Sequence, residues 1–324
     1  MTLKPPAMRD AFLNRICQAM ESDDRIFFVS SDFGSPVLDK IRQNFNARFI
    51  NVGIAEQNLI NVSAGLAVEG FKVFAYAIAP FITMRCYEQT RVSLALLSVV
   101  RPINVTLIGV GAGYSYVVSG PTHQCYEDLT LMRAMPNMQV YSPADYVTAA
   151  NFFDLCLRNN GPKYLRLDAQ VLPQIYHEDK FPDVAHGFYV HQKGNGVCLL
   201  ATGYMLHTAM KVAKSLSLAG LTVGIIDLFN ISDFAGDALA ATLAQYKGVV
   251  TMEEGFRGRG GVDSMMFEFL ARRGMDQKIL NIGVDGGYRF ELGSRDKLHE
   301  DVGIGCEVVS KKVKEFIDNI NGKL

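Results

Sequence analysis

The sequence has no excess of charge of either sign and no paired cysteines, and each absence excludes a class of function. The 32 Lys and Arg residues balance 33 Asp and Glu residues, which leaves a net charge of −1. No basic run is interleaved with aromatic residues, so we expect no nucleic-acid partner. The six cysteines form no CxxC pair and lack zinc-ligand spacing. We therefore expect buried, reduced thiols in a cytoplasmic protein.

Long apolar runs are also missing. The N-terminal residues MTLKPPAMRDAFLNR carry charges where a secretory signal peptide needs an apolar region. The longest uncharged run, residues 102–122, contains Asn, Ser, two Pro and several Gly, unlike a membrane span. We therefore expect a soluble protein that has no membrane partner.

The sequence does contain an alternation of apolar, β-rich runs and segments of helical period. Six runs have too few polar positions for half-exposed strands, which favours a parallel sheet covered on both faces. These runs are 26–32, 48–52, 72–78, 103–110, 138–142 and 163–167. Helical patterns such as VLDKIRQNF and APFITMRCYEQTRVSLALLS lie between most of them. The order predicts a doubly wound α/β domain with a mostly parallel sheet over residues 1–167.

The alternation lapses over residues 168–195, which are mixed, polar and Pro-containing, and which we predict to be a linker. A second alternating set follows, with strand patterns near 196–202, 222–228, 248–254 and 278–284. This set predicts a smaller α/β domain over residues 196–324. A chain of 324 residues, 49% of them hydrophobic, suits two domains of ordinary size.

Two glycine-rich stretches invite a nucleotide-binding interpretation but lack the required context. GVGAGY (109–114) is followed by β-rich residues where a dinucleotide site needs a helix N-terminus. GFRGRGG (255–261) lacks the Lys-Ser/Thr of a P-loop. We predict a loop at the carboxyl end of a strand for the first stretch and a tight turn for the second.

His123 has the most informative setting of the six histidines. It lies in SGPTHQCYED, after a Gly-Pro turn and before a helix predicted near Glu127. This position is at the carboxyl edge of the sheet, where open α/β folds bind ligands. A lone loop histidine is nevertheless more often structural or superficial. We expect the other five to be exposed: His177, His186, His191, His207 and His299.

Glu56 is an acid in the first turn of an otherwise apolar helix, within FINVGIAEQNLI. The helix dipole stabilises an acid there by about 0.3–1 kcal/mol, which offers a purely structural explanation. The apolar residues on both sides, however, predict a buried carboxyl group. Desolvation disfavours its charged form, which suits an acid that exchanges a proton near neutral pH.

Several motifs together resemble those of one enzyme family. GIAEQN, PFITMRCYEQ, SGPTHQ and MRAMPNMQVYSPAD are similar, in order and spacing, to the pyrimidine-binding domain of transketolase and its thiamine-diphosphate relatives. TMEEGFRGRGG and ELGSRDKLHEDVGI resemble the C-terminal domain of transketolase and deoxyxylulose-phosphate synthase. The resemblance covers nearly the whole chain.

The resemblance implies roles for individual residues. Glu56 would hydrogen-bond a ring nitrogen of the cofactor's aminopyrimidine and drive it to the imino tautomer that deprotonates the thiazolium carbon. His123 would face the substrate. Asp32 matches an aspartate near the cofactor, although it equally suits the N-cap of the next helix. The residues that would hold the pyrimidine, unless they are simply an apolar helix face, are Phe81, Met84 and Tyr87.

The motif that the family uses for the diphosphate and its Mg²⁺, GDG followed by Asn, is missing. VDGGYRF (284–290) lies in the wrong domain and lacks the spacing. The resemblance therefore implies one subunit of a split transketolase-like enzyme that transfers a two-carbon ketol or acyl unit between sugar-like or keto substrates. A partner subunit with the GDG motif would hold the diphosphate and most of the Mg²⁺ coordination, in an α2β2 assembly.

Three alternatives stay open at this point. They are the β-subunit of a 2-oxoacid or acetoin dehydrogenase complex, a deoxyxylulose-phosphate-synthase-like enzyme, and a non-catalytic subunit. GPTHQ with the downstream PNMQVYSPAD favours transketolase over the dehydrogenases. Glu56 argues against the non-catalytic subunit, because burial of a carboxyl group without a partner costs free energy.

Four positions depart from fused transketolases. Ser119 stands where an aspartate contacts substrate hydroxyls, and Ala169, Gly111 and Pro36 stand where an arginine, a histidine and a serine hold phosphate. We therefore expect a substrate other than an ordinary sugar phosphate, namely an unphosphorylated or differently activated sugar or a keto acid.

Overall fold

The six strands predicted in the first half form one parallel sheet in the computed structural model, which describes residues 5–178 and 181–322. They are β1 Ile26–Ser30, β2 Phe49–Asn51, β3 Lys72–Ile78, β4 Val105–Val110, β5 Gln139–Tyr141 and β6 Lys163–Leu167. Their order is β2-β1-β3-β4-β6-β5, and every neighbouring pair is parallel. The predicted parallel sheet is confirmed.

Helices cover both faces of this sheet. They are α1 Met8–Met20, α2 Pro36–Asn44, α3 Glu56–Val68, α4 Tyr87–Gln89, α5 Asp128–Arg133 and α6 Tyr146–Arg158. Helices α1, α2 and α6 share a core with Phe28 and Tyr76, whereas α3 and α5 share one with Val29 and Ala75. Consecutive strand residues point to opposite faces, so the strands are buried on both sides. This is the predicted doubly wound arrangement.

The long helical pattern after β3 folds as a series of irregular turns. Phe81–Arg85 and Thr90–Leu96 are π-helical, α4 lies between them, and Leu97–Val99 forms a 3₁₀ turn. A π-helical turn is wider than an α-helical turn and often occurs at functional sites. The side chains of this segment therefore do not follow a regular α-helical face.

The second half forms the smaller α/β unit that the sequence predicts. Its strands are β7 Phe188–Gln192, β8 Val197–Ala201, β9 Gly224–Leu228, β10 Gly248–Phe256 and β11 Lys278–Val284, in the order β11-β10-β8-β9-β7. Its helices are α7 Met205–Leu218, α8 Gly236–Leu243, α9 Val262–Arg272, α10 Arg295–Asp301 and α11 Cys306–Ile320. Helices α7 and α11 cover one face of this sheet, and α8 and α9 cover the other.

Strand β7 lies within the segment predicted as a linker. It pairs antiparallel with β9 at the edge of the sheet, and its mixed burial lacks the continuous apolar run of a central strand. A 3₁₀ turn, Val184–His186, precedes β7. A second 3₁₀ turn, Asn46–Arg48, precedes β2 in the first sheet. The domain limits 1–167, 168–195 and 196–324 stay a prediction.

The two glycine-rich stretches are a loop and a turn, as predicted. Gly111 and Gly113 follow β4 with φ of 98° and 56°. The stretch after β10 includes Gly258 and Gly260, which also have positive φ and lie in a turn. All six cysteines are free, and five of them are buried. None of the helices within residues 5–178 and 181–322 has the length and apolarity needed to cross a membrane.

Candidate active site

The carboxyl edge of the first sheet gathers the residues predicted to carry chemistry. Because the strands are parallel and adjacent, the segments that follow them meet at one edge. Asp32 follows β1, Glu56 follows β2, Phe81 follows β3, and the loop that bears His123 follows β4. This edge is therefore the candidate active site.

Glu56 is buried, as predicted, at the first position of α3. The side chain is 2% exposed, and its Oε2 accepts a hydrogen bond of 2.6 Å from Nη1 of Arg85. The Arg85 side chain is 44% exposed, so the pair joins a buried acid to a solvent-facing base. The guanidinium neutralises a carboxylate whose burial without a partner would be unfavourable.

Arg85 connects Glu56 to two further predicted residues. Its guanidinium carbon lies 4.4 Å from the centroid of the Phe81 ring. The Phe81 ring in turn meets the His123 ring edge to face, with centroids 5.3 Å apart. The Thr122 hydroxyl lies 3.0 Å from Nδ1 of His123 and fixes the ring orientation. A buried acid, an aromatic face and an imidazole thus lie in one continuous row.

A cavity of about 450 Å³ opens beside this row. Met84 and Arg85 line it from the segment after β3, Thr122 lines it from the β4 loop, and Tyr288 lines it from the second unit. The Tyr288 hydroxyl donates to Glu127 at 2.7 Å, which ties the two units together at the cavity. The buried carboxyl group and the Phe81 ring fit an aminopyrimidine, which needs an acceptor at its edge and a flat apolar partner.

Tyr87 lies away from this cavity. It is half-buried, and its hydroxyl donates to the backbone oxygen of Leu131 at 3.2 Å. Its side chain lines a different cavity, of about 350 Å³, with Leu96 and Met135. The structure therefore brings Phe81 and Met84 together but not Tyr87, and the assignment of these residues to a cofactor stays a prediction.

Asp32 is exposed and has a φ of 45°, a left-handed conformation that Asp tolerates better than most residues. Its Oδ1 accepts a hydrogen bond of 3.1 Å from the side-chain amide of Asn51, five residues before Glu56. The alternative role as an N-cap is wrong. The cap of α2 is Ser35, whose hydroxyl oxygen accepts a hydrogen bond from the amide of Leu38.

A buried charge network that sequence reasoning missed lies behind the site. Arg295 donates to Glu254 through Nε at 3.0 Å and Nη2 at 2.6 Å, and to Asp168 through Nη1 at 2.6 Å. Nε2 of His299 lies 2.6 Å from Oε1 of the same glutamate, the oxygen that also accepts from Nε of Arg295. Burial alone would raise the pKa of Glu254, but Arg295 and His299 hold it well below its usual range. The residues lie in TMEEGF and ELGSRDKLHED, so the motifs were visible although their contacts were not.

The expectation of five exposed histidines is correct for His177 and His186 and wrong for the others. His299 is 2% exposed in the network just described, and His207 is 7% exposed, with Nε2 2.8 Å from a backbone oxygen. His191 is half-buried, and burial lowers its pKa to about 4. The polar partners of these rings come from distant parts of the chain, so the neighbouring residues carry no signal for their burial.

The departures from the phosphate-binding pattern have structural counterparts. Gly111 packs against Tyr116 so closely that a Cβ on residue 111 would lie 1.9 Å from Cε2 of the ring. A histidine does not fit there unless the tyrosine moves. Near Ala169, the buried Arg166 and Arg295 are already paired with acids, Arg166 donating to an aspartate at 2.7 Å. Neither arginine is free to replace a phosphate-binding arginine.

No group of three or more His, Cys, Asp or Glu side chains is placed to hold a metal ion within the described ranges 5–178 and 181–322.

Comparison with known proteins identifies two transketolase domains in the chain. The transketolase pyrimidine-binding domain family matches residues 4–174, and the transketolase C-terminal domain family matches residues 187–309. The chain is 31% identical to an apulose-4-phosphate transketolase subunit of Actinobacillus succinogenes, over 82% of this chain and 84% of that subunit. It is 27% identical to the 6-deoxy-6-sulfo-D-fructose transketolase subunit SqwH of a Clostridium species, over 97% and 95% of the two chains.

Among solved structures, the chain is similar to a split-gene transketolase described as an inactive β4 tetramer. The TM-score is 0.83 at 28% identity, over 96% of this chain and 98% of that one. The 1-deoxy-D-xylulose-5-phosphate synthase of Aquifex aeolicus is 28% identical, but the match spans 49% of that enzyme. The synthase alternative is therefore not favoured over the separate subunits. The chain belongs to the transketolase family, as the subunit of a split transketolase-like enzyme that carries the pyrimidine-binding and C-terminal domains.

Proposed function

We propose that this chain supplies the proton-relay half of a thiamine-diphosphate-dependent active site. The observation that carries the proposal is the burial of Glu56 at the carboxyl edge of the sheet, where Arg85 contacts both this acid and the Phe81 ring. A buried carboxyl group needs a hydrogen-bonding partner; Arg85 is that partner here, and the ring nitrogen of an aminopyrimidine is another suitable one. When bound, thiamine diphosphate supplies the nucleophilic carbon on which ketol transfer depends.

The residues of this chain then have distinct tasks. Glu56 holds a proton at the pyrimidine ring nitrogen, and Phe81 supports the ring through its face. His123 contacts the substrate from the β4 loop, where its ring packs against Phe81 at 5.3 Å. Asp32 contacts Asn51, the last residue of β2, and the loop after β2 leads to Glu56.

The diphosphate and its Mg²⁺ belong, in this proposal, to a partner subunit with the GDG motif. The GDG motif is missing from this sequence, which is the reason for assigning these groups to the partner. The relatives named as transketolase subunits also support it, because each matches this chain over most of its own length. An α2β2 assembly in the cytoplasm, with the cofactor between the two kinds of subunit, is the arrangement that we propose.

The proposed substrate is a sugar or keto compound other than an ordinary sugar phosphate. Tyr116 fills the space at Gly111, and the arginines near Ala169 are paired with acids. One relative is named for a sulfonated sugar and another for a sugar phosphate, so the substrates of such subunits vary. The partner subunit supplies the remaining substrate contacts.

The test is purification of the complex formed by this chain and the partner that carries the GDG motif. Ketol transfer that disappears when thiamine diphosphate and Mg²⁺ are removed, and returns when they are restored, supports the proposal. A complex that is well folded but binds no thiamine diphosphate contradicts it.

A further inference from the structure

Arg85 makes both of the contacts that a bound aminopyrimidine needs. Its Nη1 donates to Glu56 Oε2 at 2.6 Å, and its guanidinium carbon lies 4.4 Å from the Phe81 ring centroid. A guanidinium is planar, with N–H donors at its edge and a flat face that stacks on aromatic rings. An aminopyrimidine has a similar flat face for Phe81, and its ring nitrogen would meet Glu56 across a shared proton.

Arg85 occupies one carboxylate oxygen of Glu56, Oε2, and the face of the Phe81 ring. The acid is 2% exposed and the base is 44% exposed, so a ligand from solvent reaches the guanidinium first. Arg85 is the last residue of the π-helical turn Phe81–Arg85, and nearly half of its side chain faces solvent. The hydrogen bond between Arg85 and Glu56 can therefore break without a change of fold.

Charge and burial explain why Glu56 needs a partner when no cofactor is bound. Removing one partner of a buried pair leaves a charge that is poorly solvated, which is strongly unfavourable. Glu56, as a relay acid, would carry such a poorly solvated charge whenever neither the cofactor nor Arg85 contacts it. Arg85 satisfies the carboxylate before the cofactor binds, and the pyrimidine edge satisfies it afterwards.

We propose that Arg85 is an internal competitor for the aminopyrimidine, and that cofactor binding displaces its guanidinium from Glu56 and Phe81. This inference rests on the proposed function, since it takes these two residues as the pyrimidine site. The apparent affinity for the cofactor is then reduced by the fraction of molecules in which Arg85 has left the acid. Replacement of Arg85 tightens cofactor binding.

The test is a calorimetric titration of the purified complex with thiamine diphosphate at saturating Mg²⁺. We expect Arg85→Ala to lower the Kd about threefold to tenfold, because the binding-competent state becomes the main one. Arg85→Lys should give a smaller decrease, since it keeps the charge but loses the flat face. Arg91→Ala removes an exposed arginine from the same segment and should leave the Kd unchanged.

The outcomes separate this inference from the proposed function. If the complex binds thiamine diphosphate and Arg85→Ala leaves the Kd unchanged or raises it, Arg85 is not a competitor, while the proposed function stands. If wild type and all variants fail to bind the cofactor, both proposals are wrong. Should Arg85→Ala fail to fold, as judged by its thermal melt, Arg85→Lys decides the matter, because an unchanged or higher Kd for that variant overturns the inference.

Discussion

The guanidinium of Arg295 holds the carboxylate of Glu254 through two hydrogen bonds, at 3.0 Å from Nε and 2.6 Å from Nη2. Both side chains are buried, with 4% and 1% exposed. The third hydrogen bond of Arg295 reaches Asp168, directly after β6, so this arginine joins the second unit to the carboxyl edge of the first sheet.

We expect Arg295→Met to lower the free energy of unfolding by about 3–5 kcal/mol, because it leaves two buried carboxylates without their counter-ion. Urea denaturation of the full chain measures this loss. The control is Arg257→Met, which removes an exposed pair with Asp285 and should change stability by about 0–1 kcal/mol. Equal effects of the two variants would show that the buried network does not stabilise the fold.

The contrast between this network and the strands shows what the sequence could predict. Apolar runs identified all ten parallel strands, because burial of most strand residues leaves a local signal. The apolar neighbours of Glu56 likewise predicted its burial. The partners of Arg295 lie 41 and 127 residues away, and β7 is an edge strand without an apolar run. Neither the contacts of Arg295 nor strand β7 has a local signal in the sequence. The pairing of Arg85 depends on a π-helical turn that the helical pattern did not show.

Glu56→Gln tests the proton relay. Glutamine keeps the shape and a hydrogen-bonding group but cannot exchange the proton, so activity of the complex should fall about 10²–10⁴-fold. Deuterium exchange at the thiazolium carbon, followed by NMR after acid quench, reports the step directly. Exchange as fast as in wild type would mean that Glu56 is only a helix-terminal acid. Glu69→Gln, at the other end of α3, is the matched control.

The isolated chain should bind thiamine diphosphate weakly. The sequence lacks the GDG motif that the family uses for the diphosphate and its Mg²⁺, and Arg85 is paired with Glu56. Calorimetry of the lone chain with cofactor and Mg²⁺ should therefore give a Kd above about 1 μM, which corresponds to about −8 kcal/mol. Submicromolar binding by the lone chain would show that it holds a complete cofactor site.

Asp227 should make stability depend on pH. Burial raises the pKa of this carboxyl group to about 8, although a 2.7 Å hydrogen bond from the hydroxyl of Tyr176 opposes the shift. The unfolded chain ionises near pH 4, so between about pH 4 and 8 the native state binds the extra proton. The stabilisation from Asp227 is complete below this window and is lost as the pH rises through it.

The Asp227→Asn variant isolates this contribution, because asparagine stays neutral at every pH. The stability of the variant relative to wild type should rise from pH 4 to 8 and level off above pH 8. Denaturant unfolding of both proteins across this range measures the difference. A difference that is constant with pH would show that the carboxyl group is ionised in the native state.

The last prediction concerns the substrate. Transketolase-like sites hold phosphate through cations and hydrogen-bond donors, and an Arg–phosphate contact is among the strongest of these. In this chain Tyr116 fills the space beside Gly111, and Arg166 and Arg295 are bound by internal acids. We expect the complex to use xylulose 5-phosphate and ribose 5-phosphate with a kcat/KM below about 10⁴ M⁻¹s⁻¹, under the ordinary range for a native substrate. Steady-state kinetics with these two sugars, beside unphosphorylated and sulfonated analogues, measures the preference. A higher value for the phosphosugars would show that the partner subunit restores the phosphate site and that Gly111 and Ala169 do not determine the substrate.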